Sequence, residues 1–338
     1  MTSQAPQPSP MLFFDTVNSF HRSEALKAAI ELDLFTSVAS TNGTASEIAA
    51  RSQASERGVR ILCDYLTMIG FLGKQGNTYS LTQDTAVFLD RRSPAYLGSV
   101  TDFLLSDQLR AGFKSLTEAV RKGGTAMSEE GSLEPDHPMW QTFARAMAPM
   151  MYPVAQAIAQ IVDPAANGKL KVLDIASSHG LFGLAFATRN PNAEIYAVDW
   201  ANVLEVGKEN AEKMGAADRY HTIAGSAFDV DFGTGYDVVL LTNFLHHFDK
   251  PTNESLMKKV HAALKDGGSA ATLEFVPNED RISPEGVAGF PLIMLASTPS
   301  GDAYTFAEFD RMFKNAGFAK NEIHPLEPAF QQLIVSRK

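Results

Sequence analysis

From Leu12 to Val38 the apolar residues Leu12, Val17, Phe20, Ala25, Leu26, Ala29, Ile30, Leu32, Leu34 and Phe35 recur mostly at steps of three and four. That is the spacing of amphipathic helices, and it predicts two of them. Thr44-Ala45-Ser46-Glu47 has the form of a capping box that opens a short helix, Ile48 to Arg51. Ser55 can cap a second helix carrying Val59, Leu62, Leu66 and Ile69, with Gly70 as its stop. Phe71 to Leu81 holds two β-prone runs around Gly76-Asn77, the pattern of a hairpin. Helix, turn, helix and hairpin in this order make a winged helix.

Helical patterning resumes over Ala95 to Lys122, breaks at Gly123-Gly124 and in the breaker-rich stretch Gly131 to Pro138, and returns from Gln141 to Ile161. Phe143, Met147, Met150 and Met151 fall on one side of that last helix. Past the turn cluster Asp163 to Gly168 the character changes. Short β-branched runs at Val172-Leu173, Ile195 to Val198, Tyr220 to Ile223, Val238 to Leu241 and Ala270 to Val276 alternate with helical segments. Such alternation predicts a parallel sheet with helices on both faces. A further capping box at Thr305 to Glu308 opens one more helix, and Ile323 and Gln332 to Val335 supply the last strands. Three segments result: a winged helix over 1–100, a helical linker over 101–165 and an α/β domain over 166–338. The Pro-rich first ten residues read as a loose tail.

At 338 residues, with 45% hydrophobic and 20% charged, the chain has material for a large core and is neither disordered nor fibrous. The net charge of −10 opposes phosphate backbones. Ser46 to Arg92 carries six basic against five acidic residues, without the basic face that a DNA-reading winged helix shows. The winged helix is therefore expected to be structural or dimerising, with no nucleic-acid partner. The most apolar runs, Phe290 to Leu295 and Val238 to Leu241, are far shorter than the ~18 residues that span a bilayer. The first residues show no basic and then apolar leader. A cytoplasmic location with no membrane partner is expected. The single cysteine, Cys63, reads as a buried thiol on a helix face.

In such a sheet a ligand lies at the carboxyl ends of the strands, near the switch point. The first loop there, Asp174-Ile175-Ala176-Ser177-Ser178-His179-Gly180, consists of small residues running into a helix. It allows close approach to the backbone and to helix N–H groups, although an ordinary tight turn would look the same. Asp199, at the end of the second strand, is placed to hold ribose hydroxyls or, alternatively, to cap the next helix.

These features in order, with Ala224-Gly225-Ser226-Ala227-Phe228, Leu245-His246-His247-Phe248-Asp249 and Leu273-Glu274-Phe275-Val276-Pro277, make the chain resemble a known family. It is similar to the S-adenosylmethionine-dependent O-methyltransferases with an amino-terminal winged-helix dimerisation domain, the caffeate-type plant enzymes and their bacterial relatives. The resemblance spans nearly the whole chain. It implies a Rossmann-like, seven-stranded class I methyltransferase domain preceded by a mostly α winged-helix domain, a homodimer, S-adenosylmethionine as cofactor and a small, largely apolar acceptor, aromatic or polyketide-like.

Carried over by position, Asp174, Ala176, Ser177 and Gly180 would cradle the methionine end of the cofactor. Asp199 would hold the ribose, Trp200 would lie against the adenine, and Gly225, Ser226, Ala227 and Phe228 would flank it. The chain departs from the family's D-x-G-G-G-x-G, and Gly225-Ser226 replaces its Gly-Asp pair. His246 stands at the family's catalytic histidine, a base suited to a poorly nucleophilic hydroxyl, with Glu274 as the acid that orients it. The second acid of the family is missing, since Ala303 occupies its position beside Asp302. His247 is expected to point elsewhere. Phe143, Met147 and Met294 would line the acceptor pocket, and no metal is implied. Two alternatives stay open: non-methylating chemistry on the same cofactor, motivated by Ala303, and a ligand-sensing DNA-binding regulator.

Overall fold

The computed structural model describes residues 7–41, 43–128, 131, 139–163 and 165–338. Of the expected tail, residues 1–6 lie outside the described residues, as does the breaker-rich loop at 132–138. The chain divides into two compact units, Met1–Thr101 and Asp102–Lys338.

In the first unit, α1 (Met11–Asn18), α2 (Phe20–Glu31) and α3 (Leu34–Ala39) replace the two helices predicted, because Asp33 adopts a left-handed φ of 48° and interrupts the periodic run. The capping box at Thr44 forms and opens α4 (Ala45–Arg51), and Ser55 accepts the Gly58 N–H to open α5 (Glu56–Met68). The hairpin β1 (Leu72–Gln75) and β2 (Thr78–Leu81) turns at Gly76-Asn77, and α6 (Gln83–Phe88) follows. Gly43 has φ +83°, and a methyl there would overlap the Tyr79 carbonyl, so only glycine fits between α3 and the hairpin. Leu34, Phe35, Ile48, Val59, Cys63, Leu66 and Tyr79 form the core. Burial first, and Asp64 second, push the Cys63 thiol up to about 12. Arg60 and Lys74 both bond Asp64, which neutralises basic side chains of α5 and the hairpin. α1 buries no residue; its Met11, Leu12, Phe13, Phe14 and Val17 are all exposed.

The second unit opens with α7 (Thr101–Leu104), α8 (Asp107–Lys114) and α9 (Leu116–Lys122), short pieces because Ser106 caps α8 and Ser115 ends it. α10 (Met139–Val162) runs for 24 residues with Pro149 and Pro153 inside. The sheet follows: β3 (Leu170–Ile175), α11 (Leu181–Arg189), β4 (Ala193–Asp199), α12 (Ala201–Lys213), β5 (Tyr220–Ala224), β6 (Tyr236–Thr242), α13 (Lys250–Ala263), β7 (Leu264–Glu274), α14 (Glu285–Ala288), α15 (Phe290–Ser297), α16 (Phe306–Asn315), β8 (Lys320–Pro325) and β9 (Gln332–Arg337). Its seven strands lie in the order β5-β4-β3-β6-β7-β9-β8. β3 to β7 pair in parallel, while β9 runs antiparallel to β7 and β8, since the short β8–β9 connection leaves no room for a crossover. The chain reverses direction across the sheet between β3 and β6, which opens a crevice at their carboxyl ends.

α10 is held against α12 by Trp140 and Trp200 packed on Ala144, Val203 and Val206. Gln141 donates to the Asn202 carbonyl at 2.6 Å, and Arg145 forms a two-pronged 2.8 Å pair with Glu209. No helix among the described residues is long and apolar enough to cross a membrane.

Candidate active site

Asp174 sits near the end of β3, fully buried, and its Oδ2 accepts the Gly183 N–H at 2.9 Å. The loop beyond it bends at Ala176 (φ 54°), Ser178 (φ 52°) and Gly180 (φ 72°). The left-handed turns expected of glycine are thus kept by alanine and serine, at a cost of about 1–2 kcal/mol each. Backbone bonds offset that cost: Ser177 N–H donates to the Val198 carbonyl at 3.1 Å, and Ser178 N–H donates to Asp199 Oδ2 at 2.8 Å. His179 is buried with its Nδ1 accepting the Leu181 N–H at 3.1 Å, and burial lowers its pKa to about 4, so the ring is neutral.

Asp199 Oδ1 accepts the Trp200 N–H at 2.7 Å. Trp200, not Asp199, is the cap residue of α12, so the carboxyl group joins the loops after β3 and β4 rather than capping the helix. Burial raises its pKa to about 6 against the opposing pull of those two N–H bonds.

Asp174 is pushed further, to about 8, by burial, with Asp199 adding to the rise and the Gly183 N–H opposing it. Its stabilising contribution is therefore complete below the unfolded value of 3.8 and is lost as pH climbs through about 8. Asp174→Asn can keep the Gly183 bond with its carbonyl. The variant is expected to melt with the wild type at pH ~5 and several degrees above it at pH ~9 in the absence of cofactor. A gap that does not widen with pH, followed by calorimetric melting, would show that this carboxyl is not held in a water-free site.

In the third loop Gly225 (φ 135°) donates its N–H to the Asp199 carbonyl at 2.9 Å, and Ser226 Oγ accepts the Phe228 N–H at 3.2 Å. Ala227 is buried, whereas Phe228 is partly exposed and meets Phe248 edge-on at 5.0 Å. Lys259, on α13, donates to the carbonyls of Ala227, Phe228 and Val230 at 3.0, 3.0 and 2.6 Å. Sequence inspection missed this lysine, because no spacing marks a side chain that folds back across some 30 residues to fasten a loop.

His246 lies in a single 3-10 turn, Leu245–His247, just past β6. Glu274 is the last residue of the neighbouring β7. Glu274 Oε2 is 2.6 Å from His246 Nδ1, and Oε1 accepts the N–H groups of Phe244, Leu245 and His246 at 3.0, 2.7 and 3.3 Å. With three backbone N–H groups donating to Oε1, Glu274 acts as an acceptor, and accepting at Oε2 as well puts the hydrogen on Nδ1 and leaves the lone pair on Nε2. Phe290 meets the imidazole at 4.8 Å and 80°, itself stacked on Phe275 at 3.9 Å. Gly301 packs so closely on the His246 carbonyl that a methyl would overlap it.

Asp302 donates its N–H to the His246 carbonyl at 2.9 Å, while its carboxylate accepts the Ala303 N–H and lies 3.5 Å from Arg281. Asp302 is thus engaged away from the imidazole, and Ala303 is a buried apolar residue. His247 does not point elsewhere: its ring centroid is 4.3 Å from that of His246 and 5.5 Å from Trp140, because the short turn keeps consecutive side chains adjacent. Burial, and secondarily His246, hold it well below its ordinary range, so it is neutral.

Met147 and Met294 are buried, and Phe143 packs on Phe103 and Trp140 at 4.9 and 5.8 Å. Among the described residues no group of three or more His, Cys, Asp or Glu is arranged to hold a metal.

Comparison with known proteins gives the family of the chain. Residues 14–91 match the O-methyltransferase dimerisation domain, and residues 113–319 match the O-methyltransferase domain. The chain belongs to this O-methyltransferase family. It is an S-adenosylmethionine-dependent O-methyltransferase. The enzyme is 28% identical to the tetracenomycin polyketide synthesis 8-O-methyl transferase TcmO of Streptomyces glaucescens, over 89% of this chain and 88% of that one. It is 27% identical to the 3-hydroxy-5-methyl-1-naphthoate 3-O-methyltransferase of Streptomyces sahachiroi, over 91% and 89%. A crystal structure of a candidate O-methyltransferase from Nostoc punctiforme PCC 73102 superposes with a TM-score of 0.95 and 56% identity, covering 98% of this chain and 100% of that one.

The crevice fits the cofactor on its own evidence. Buried Asp174 Oδ1 and Ser178 Oγ have no hydrogen-bond partner among the described residues, beside a loop whose backbone is bent open by three left-handed residues.

Proposed function

We propose that the enzyme methylates a hydroxyl group on a small, largely apolar aromatic or polyketide-like molecule, with His246 as general base and Glu274 as the residue that orients it. Asp174, Ala176, Ser177, Gly180, Asp199, Trp200 and the Gly225–Phe228 loop would hold S-adenosylmethionine. Bound there, the cofactor supplies an electrophilic methyl group on a sulfonium.

What carries the reading is the His246–Glu274 pair, at 2.6 Å, on the same edge of the sheet as the cofactor loops. Glu274 fixes the tautomer, so that Nε2 takes the proton of the acceptor hydroxyl as its oxygen becomes nucleophilic. The positive charge that then spreads over the ring is met by the carboxylate on Nδ1. A base of this kind contributes about 10²–10⁴-fold. The missing second acid at Ala303 is consistent with it, because the three backbone donors already hold Glu274 in place. Phe143, Met147 and Met294 would form apolar walls suited to a flat ring. The names of the two Streptomyces relatives, a polyketide and a naphthoate methyltransferase, support the acceptor class.

The exposed apolar face of α1 and the dimerisation-domain match support a homodimer. Asp64, by neutralising Arg60 and Lys74, speaks against a nucleic-acid partner. A lone buried cysteine accords with a cytoplasmic location.

The test is a radiolabelled methyl assay over phenols, naphthols and hydroxyquinones. Methylated product and S-adenosylhomocysteine are expected in equal amounts; cofactor turnover with an unmethylated, oxidised or decarboxylated product would remove the proposal.

A further inference from the structure

Asn243 stands between β6 and the turn that carries His246, with φ at 52°. A left-handed backbone at a residue other than glycine is held only where its surroundings enforce it, and such residues cluster at functional sites. Asparagine tolerates this bend better than most residues, so the backbone leaves its side chain free for another role. The main chain is well tied, with Asn243 N–H donating to the Leu273 carbonyl at 2.8 Å. The carboxamide is not. Its Oδ1 accepts a long 3.4 Å bond from Gln331 Nε2, and Nδ2 has a thioether, Met151 Sδ, at 3.9 Å. A thioether is a weak acceptor, so this N–H donor retains most of its capacity.

The neighbouring carboxylate, Glu274, is spoken for. Glu274 Oε1 already takes three N–H groups, beginning with that of the very next residue, Phe244, and Oε2 takes His246. Gln331 and Met151 are buried, while Asn243 keeps part of its surface open. The amide is thereby oriented: Gln331 holds the oxygen end, and the N–H end is turned toward α10 and its methionines, three residues ahead of the base.

We propose that Asn243, oriented by Gln331, is a specificity residue whose Nδ2–H binds a carbonyl oxygen of the acceptor, so that the enzyme prefers hydroxyaromatics that also carry a carbonyl group. This rests on the acceptor walls proposed above, of which Met147 shares α10 with Met151, but not on His246 being the base. A site built to donate one hydrogen bond discriminates against an analogue that lacks the acceptor atom, because the buried donor is then left unpaired.

The experiment is a binding titration into the full-length enzyme loaded with S-adenosylhomocysteine, so that no turnover is needed. The probes are 2-naphthol and a set of 2-naphthols with one acetyl group at successive ring positions. At least one acetyl isomer is expected to bind about tenfold more tightly than 2-naphthol, and Asn243→Leu to abolish that advantage while 2-naphthol binding changes less than about twofold. Gln331→Met, which leaves the amide in place but unoriented, is expected to lose part of it. The S-adenosylhomocysteine affinity of both variants reports that they are folded. If no isomer gains over 2-naphthol, or if Asn243→Leu weakens all probes alike, the assignment is overturned. Failure of the general-base reading would appear separately, as a His246 variant that keeps its turnover.

Discussion

Replacing His246 with alanine is expected to lower turnover by about 10²–10⁴-fold and to leave S-adenosylhomocysteine affinity within about threefold of wild type. The split follows from geometry. The His246 ring contacts Glu274, His247, Phe275 and Phe290, and among the described residues no hydrogen bond or ring stacking joins it to the three loops assigned to the cofactor. Glu274→Gln is a sharper probe of the same idea. Glutamine can still accept from the backbone with its carbonyl, but its NH₂ would donate to Nδ1 and so move the hydrogen to Nε2. The wrong tautomer cannot take a proton, and turnover should fall by about 10²-fold or more although no atom is removed. If single-turnover methyl transfer by His246→Ala proceeds at the wild-type rate, the base must be sought elsewhere.

Asp199→Ala is expected to raise the dissociation constant for S-adenosylhomocysteine at least thirtyfold. The carboxylate accepts the Ser178 and Trp200 N–H groups, at 2.8 and 2.7 Å. A hydrogen bond from a ribose hydroxyl to a carboxylate held in this way contributes about 1.5–3 kcal/mol, and about 1.4 kcal/mol is a tenfold change in affinity. Alanine would free the strained Ser178 turn and remove the oxygens proposed to meet the ribose. Asparagine keeps one acceptor and should recover part of the loss. Calorimetry with Asp199→Ala that returned an unchanged affinity would refute the role assigned to this carboxyl group.

Local signals proved most legible where the responsible atoms lie within a few residues of one another. The capping box at Thr44, the Ser55 cap, the Gly76-Asn77 hairpin turn and the βα alternation all have this character, and all form. The misjudged features are those in which a single backbone torsion or a neighbour distant in sequence decides. Asp33 splits a continuous periodic run by one left-handed residue. His247 stays beside His246 because the turn is one 3-10 loop and not a longer helix.

The site divides along the same line. The residue types at 174–180, 199, 246 and 274, together with their order, are enough to suggest a nucleoside crevice and a histidine base paired with an acid. Nothing in their spacing reveals that Glu274 closes a nest of three backbone donors, that Lys259 fastens the loop at Ala227 and Phe228, or that Asn243 holds an under-used amide. By itself the chain's order of polar and apolar residues determined the α/β layering and the places of its strands and caps, because side-chain periodicity and capping act over one or two turns. Tertiary structure alone decided which lone pair is free and which donor lacks a partner, because those depend on atoms brought within about 3 Å of each other from segments roughly 30 residues or more apart.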